Sequence, residues 1–125
     1  MSAVFGMDHI SLLVQDADKA ATFYQNILGL AILERPDLGF PGVWLDLGEG
    51  QSLHLLQVSR EHVLNDRLPE HGGRDFHFAL RIKDLETFVA KLEQAGVAYT
   101  KSRSGRKALF FRDLDGNAIE LTEVD

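Results

Sequence analysis

Four side chains suited to holding a divalent metal stand at repeated positions in this 125-residue sequence: His9, His54, His77 and Glu120. His9 and His77 each open an apolar segment, His9-Ile10-Ser11-Leu12-Leu13-Val14-Gln15-Asp16 and His77-Phe78-Ala79-Leu80-Arg81-Ile82-Lys83-Asp84, at an offset of 68 residues. His54 and Glu120 lie in a second pair of apolar segments, at an offset of 66. Imidazole nitrogen and carboxylate oxygen together suit Zn, Ni, Co, Mn or Fe, with the identity open. Singly, each residue has a plainer reading: a strand histidine is commonly half-buried and hydrogen-bonded, and a strand glutamate is commonly a solvated charge. Four of them at repeat-equivalent places favour metal binding. The chain has no cysteine, which excludes disulfides, thiolate ligands and a cysteine nucleophile. His62 and His71 fall between the copies and read as solvated loop histidines. Of these, His71 has the free pKa for an acid or base.

The elements that must position these residues repeat as well. After the first segment, Ala20, Phe23, Tyr24, Ile27 and Leu28 fall at helical spacing, and after the second Leu85, Phe88, Val89 and Leu92 do the same. Asp16 and Asp84 are placed to cap these helices, and Gly29 and Gly96 to end them. Short strands are expected over Leu30–Arg35 and Val97–Lys101, then Val43–Leu47 and Ala108–Arg112, then Ser52–Val58 and Ala118–Val124. Turns at Gly48 to Gly50 and at Asp115-Gly116-Asn117 join the last two of each set. The pattern is β-α-β-β-β, twice. Strand alternation puts Ile10, Leu12 and Val14 on the face under the helix, with His9, Ser11 and Leu13 opposite. In the second copy Phe76, Phe78, Leu80 and Ile82 form the apolar face, and His77 lies opposite. Likewise Leu53 and Leu55 oppose His54, and Ile119 and Leu121 oppose Glu120. One such unit would leave a sheet face uncovered, so the two copies are expected to pair. The expected organisation is a single α+β domain over 1–125: module one at about 5–58, a linker at 59–75 and module two at about 76–125.

The net charge of −6 argues against a nucleic-acid partner. No apolar run reaches the roughly 20 residues of a membrane helix, and Met1 to Met7 lack the basic flank of a signal peptide. A cytoplasmic location and no membrane partner are therefore expected.

Several stretches resemble the vicinal oxygen chelate superfamily, which includes glyoxalase I, fosfomycin-resistance thiol transferases, extradiol dioxygenases, methylmalonyl-CoA epimerase and bleomycin-resistance proteins. They are Asp8-His9-Ile10, Phe23-Tyr24 followed by Leu28-Gly29-Leu30, Ser52-Leu53-His54-Leu55, and Asp75-Phe76-His77-Phe78-Ala79. The longest is Phe111-Arg112-Asp113-Leu114-Asp115-Gly116-Asn117-Ala118-Ile119-Glu120-Leu121, which resembles the family's closing Asp-Pro-Asp-Gly…Glu strand. The resemblance implies paired βαβββ modules forming a curved mixed sheet with a metal cleft, and a homodimer. It leaves open whether His9 and His54 meet His77 and Glu120 within one chain or across two. It implies a metal held by His9, His77 and Glu120. A fourth ligand, usually Glu in glyoxalase I, falls on His54 here. Glu120 is then the one ligand suited to act as a base, because a metal-bound imidazole does not readily take another proton.

The function this implies is a glyoxalase-like, metal-dependent lyase or isomerase. Its substrate would be a small carbonyl or thiol adduct, chelated through two neighbouring oxygens. If His54 stays off the metal, His9, His77 and Glu120 form a His-His-Glu face with open positions, which suits an extradiol-type dioxygenase or a thiol transferase. The Ser102 to Lys107 stretch, with Arg103 and Arg106, could hold an anion but reads more simply as a solvated hairpin. The remaining alternative is a metal-free small-molecule binding protein of the bleomycin-resistance type, its cleft loosely supported by Phe40, Trp44 and Glu49.

Overall fold

Asp16 and Asp84 begin the two helices by the same device. The Asp16 side chain accepts from the Lys19 amide at 3.0 Å, and Asp84 accepts from the Glu86 amide at 3.2 Å. In the computed structural model, which describes residues 2–59 and 69–124, the first helix (α1) spans Ala17–Leu28 and the second (α2) Leu85–Gln94. His62 lies outside the described residues. Gly29 ends α1 at φ 68, a left-handed conformation that a residue with a Cβ adopts only at a cost, and Gly96 takes φ 70 one residue beyond Ala95.

The chain divides into two compact units, Met1–Val63 and Leu64–Asp125. In the first, β1 (His9–Val14), β2 (Ile32–Leu33), β3 (Gly42–Gly48) and β4 (Gln51–Gln57) form a four-stranded sheet in the order β1-β4-β3-β2. In the second, β5 (His77–Ile82), β6 (Tyr99–Lys101), β7 (Ala108–Arg112) and β8 (Ala118–Glu123) repeat it as β5-β8-β7-β6. The outer pairs β1–β4 and β5–β8 are parallel and the others antiparallel, so each sheet is mixed. The chain passes from β1 to β4 through α1, β2 and β3, and from β5 to β8 through α2, β6 and β7, the long connection a parallel pair requires.

The repeat reaches the ladder and the helix starts. His54 lies opposite Ser11 and Trp44, and Glu120 lies opposite Ala79 and Phe110. The Gln57 side chain at the end of β4 accepts from the Ala17 amide at 2.9 Å, and Glu123 at the end of β8 accepts from the Leu85 amide at 3.0 Å. The central strand of each sheet thus caps the helix that crosses over it.

Apolar burial follows the expected alternation. Val14, Tyr24, Leu45, Leu53 and Leu55 are fully buried in the first unit, and Leu92, Leu109, Ile119 and Leu121 in the second. Three expectations need correction. The strand expected over Leu30–Arg35 is only Ile32–Leu33, because it sits at a sheet edge and its pairing with β3 stops after Leu33 meets Trp44. Phe76 does not join the apolar face of β5: it precedes the strand and is 94% exposed. His71 is not a solvated loop side chain. It is buried at the start of a short 3₁₀ turn, Gly72–Arg74. Among the described residues no helix is long and apolar enough to cross a membrane.

Candidate metal-ligand pairs

In the first unit, β4 lies between β1 and β3, so His54 projects from a central strand and is buried. Its ring is sandwiched. Trp44 stacks on it at 4.1 Å and 6°, and His9 at 4.0 Å and 13°. His54 Nε2 lies 2.9 Å from Ser52 Oγ, two residues along the same face. Burial first, and then the neighbouring His9, lower the His54 pKa against the opposing pull of Asp8, with Arg35 lowering it further. The ring is therefore held neutral, as a nitrogen ligand must be. His9 Nδ1 lies 2.7 Å from Asp8 Oδ2. An ionised carboxylate only accepts, so Nδ1 carries the proton and the lone pair of a neutral ring is on Nε2. This is the carboxylate–histidine arrangement that orients metal-binding imidazoles.

The second unit holds a histidine–carboxylate pair at the equivalent place. His77 Nε2 is 3.2 Å from Glu120 Oε1. His77 Nδ1 lies 2.9 Å from the Asp75 carbonyl oxygen, which can only accept, so Nδ1 is the protonated nitrogen. In a neutral ring the Nε2 lone pair then faces a carboxylate oxygen. Two acceptors at that distance repel unless a cation lies at the pair, either a proton or a metal ion. The buried Glu120 is fixed by Thr122, whose hydroxyl donates to Oε2 at 2.9 Å. Arg106 Nη1 stands 4.0 Å from the same oxygen. Phe110, opposite Glu120 in the ladder, meets the edges of His77 at 5.1 Å and His71 at 4.8 Å. His71 Nδ1 lies 2.6 Å from Thr100 Oγ1.

The donor chemistry therefore fits a divalent ion: three imidazoles and one carboxylate, arranged as one pair in each unit. Among the described residues no group of three or more His, Cys, Asp or Glu side chains converges on one point. Of the four residues singled out from the sequence, the structure brings His9 to His54 and His77 to Glu120, and sequence reasoning missed the groups that contact them. Thr122 could have been found from its place two residues beyond Glu120, on the same strand face. Trp44 and Phe110 could have been found from their shared offset of 66. Arg112 was not legible. Its Nη1 donates to Asp75 Oδ2 at 2.8 Å and to Gly116 O at 2.7 Å, and its Nη2 donates to Pro69 O. It thereby holds the residue whose carbonyl sets the His77 tautomer.

A doubled βαβββ topology carrying these pairs defines a class of protein. The sequence profile of the Glyoxalase/Bleomycin resistance protein/Dioxygenase superfamily matches residues 6–121, and the chain belongs to that family. It is 31% identical over 128 residues to the Arabidopsis thaliana protein Glyoxylase I 4, covering 95% of this chain and 71% of that one. It is 30% identical over 118 residues to Glutathione transferase FosA of Serratia marcescens, covering 92% of this chain and 78% of that one. The fold matches the Listeria monocytogenes fosfomycin resistance protein FosX, crystallised with Mn(II) and sulfate, at a TM-score of 0.75. Identity there is 20%, over 98% of this chain and 92% of that one.

Proposed function

We propose that this chain is a glyoxalase-like, metal-dependent lyase or isomerase acting on a small carbonyl or thiol adduct, with His9, His54, His77 and Glu120 as metal ligands. The observation that carries the reading is the placement of His77 Nε2 3.2 Å from Glu120 Oε1, with Nδ1 engaged by the Asp75 carbonyl. The kinship with a glyoxylase I protein and the Mn(II) named for FosX support it. The same kinship supports a homodimer and a single working domain over 1–125.

The residues would act as follows. His9 and His77 present Nε2, each fixed through Nδ1 by Asp8 and by the Asp75 carbonyl respectively. His54, kept neutral by burial, presents a third imidazole. A bound divalent ion supplies Lewis acidity toward two neighbouring substrate oxygens. Glu120 takes the proton from one carbon and returns it to the next, its carboxylate orientation held by the Thr122 hydroxyl.

One observation favours a second reading. His54 is clasped between two rings with Nε2 beside Ser52 Oγ, which supports a three-ligand His9, His77 and Glu120 face with open positions. On that face a thiol transferase or dioxygenase reaction replaces the isomerisation.

The test is bound metal per chain by elemental mass spectrometry on tag-free protein, reconstituted in turn with Zn, Ni, Co, Mn and Fe. The wild type is expected to hold about one ion, and His77→Ala and Glu120→Gln to lose it. Loss in His54→Ala supports the four-ligand lyase, which is then assayed for thiohemiacetal-to-thioester conversion. Retention in His54→Ala supports the three-ligand reading. No metal in the wild type overturns both and favours a metal-free binding protein.

A further inference from the structure

We infer that Arg35 and Trp44 form an oxyanion-binding subsite on the His54 face of the first sheet, which takes a carboxylate or phosphonate group of the ligand. Three buried donors there lack a hydrogen-bond partner among the described residues: Arg35 Nε, Arg35 Nη2 and Trp44 Nε1. Buried donors are normally satisfied, so three together mark an interaction still to be made.

Their arrangement specifies the missing partner. Nε and Nη2 form one edge of the guanidinium, where two N–H bonds run parallel. That edge matches two oxygens of a carboxylate or phosphonate. A neutral carbonyl would satisfy one of them and leave the other buried and unpaired.

The backbone places the groups together. Leu33 pairs with Trp44, and Trp44 in turn pairs with His54, so these three side chains share one face of the sheet. The guanidinium lies against Gly42. A Cβ built on Gly42 would sit 2.8 Å from Arg35 Nη2 and 2.9 Å from Cζ, so glycine makes the space that the side chain occupies. The Phe40 ring lies under the guanidinium, its centroid 4.9 Å from Cζ. Gly42 and Trp44 are alternate residues of β3 and share a face, so the guanidinium over Gly42 stands beside the Trp44 position.

The inference deepens the proposed function and rests on it only in calling the ligand a substrate. Its test is therefore run on metal-stripped protein. Trp44 is the chain's one tryptophan, so its fluorescence reports the subsite directly. Acetate and methylphosphonate are titrated at constant ionic strength, with chloride as the control. At least one of the two is expected to give a saturable change in emission, and the stronger probe names the group. Arg35→Gln, which loses the charge and the fork, is expected to weaken that binding about tenfold or more, in keeping with the strength of a charge-assisted bidentate pair. The Arg35 Nε–H resonance in the wild-type ¹H–¹⁵N spectrum is expected to shift with the same midpoint, a readout independent of whether the variant folds. No saturable change with either probe, a response equal to chloride, or an unmoved Nε–H resonance overturns the subsite. Metal binding with no oxyanion response would leave the proposed function standing and remove this inference alone.

Discussion

Replacing Arg112 with methionine is expected to destabilise the second unit and loosen His77 at once. The substitution keeps the apolar stem and removes the guanidinium, hence its bonds to Asp75, Gly116 and Pro69. Hydrogen bonds to a charged group contribute about 1.5–3 kcal/mol each. Water replaces part of that, because the Arg112 and Asp75 side chains remain 20% and 13% accessible. A net loss of about 2–3 kcal/mol follows, which for a chain of this size lowers Tm by roughly 8–12 °C. The effect is pH-dependent in a determined direction. The Arg112 hydrogen bond, ahead of the opposing effect of burial, holds the Asp75 carboxyl below its ordinary value of 3.8. The unfolded chain therefore takes up the proton first as pH falls. This part of the stability is present above pH 3.8 and is lost as pH drops through the lower folded value. Urea unfolding of wild type and Arg112→Met should show a gap at neutral pH that narrows on acidification. Metal affinity should also fall about tenfold, because Asp75 no longer holds its carbonyl on His77 Nδ1. A gap under about 0.5 kcal/mol at neutral pH, or one that widens in acid, would refute the clamp.

Three further outcomes are expected. Asp16→Ala removes the cap on the Lys19 amide and should cost about 1 kcal/mol by denaturant unfolding, whereas Asp16→Asn should recover most of it. Leu53→Ala opens a hole beside the fully buried core of the first unit and should cost about 2–5 kcal/mol, against under about 1.5 for Leu53→Met. The Tyr99 hydroxyl donates to Glu93 at 2.8 Å, and that bond pushes the phenol pKa above its ordinary 10.0. Ultraviolet titration of Glu93→Gln should show the Tyr99 phenol ionising at lower pH than in the wild type.

Much of this protein was legible in one dimension because its chemistry and its architecture repeat together. The offset of 68 that links His9 to His77 also links Asp16 to Asp84, so cap, helix and histidine position all supported the same division of the chain. Periodicity identified Tyr24, Leu53 and Leu121 as interior, since a helix stripe or strand face that is apolar has one stable place to go. Strand ends were less legible. Pairing at the edge strand β2 stops after Leu33 meets Trp44 although β3 runs on to Gly42.

By itself, then, the sequence determined the doubled β-α-β-β-β order, the capping of both helices, and the strand faces that carry His9, His54, His77 and Glu120. These follow from local rules of spacing and hydrogen bonding that act within a few residues. Only the tertiary structure decided what each of those side chains touches. It put Trp44 and His9 on either face of His54, set Glu120 against His77, buried His71 beside Thr100, and brought Arg112 across to Asp75. Contacts like these join residues far apart in the chain. They depend on strand register and rotamer choice, and a change of one residue in register would turn each of those side chains to the opposite face.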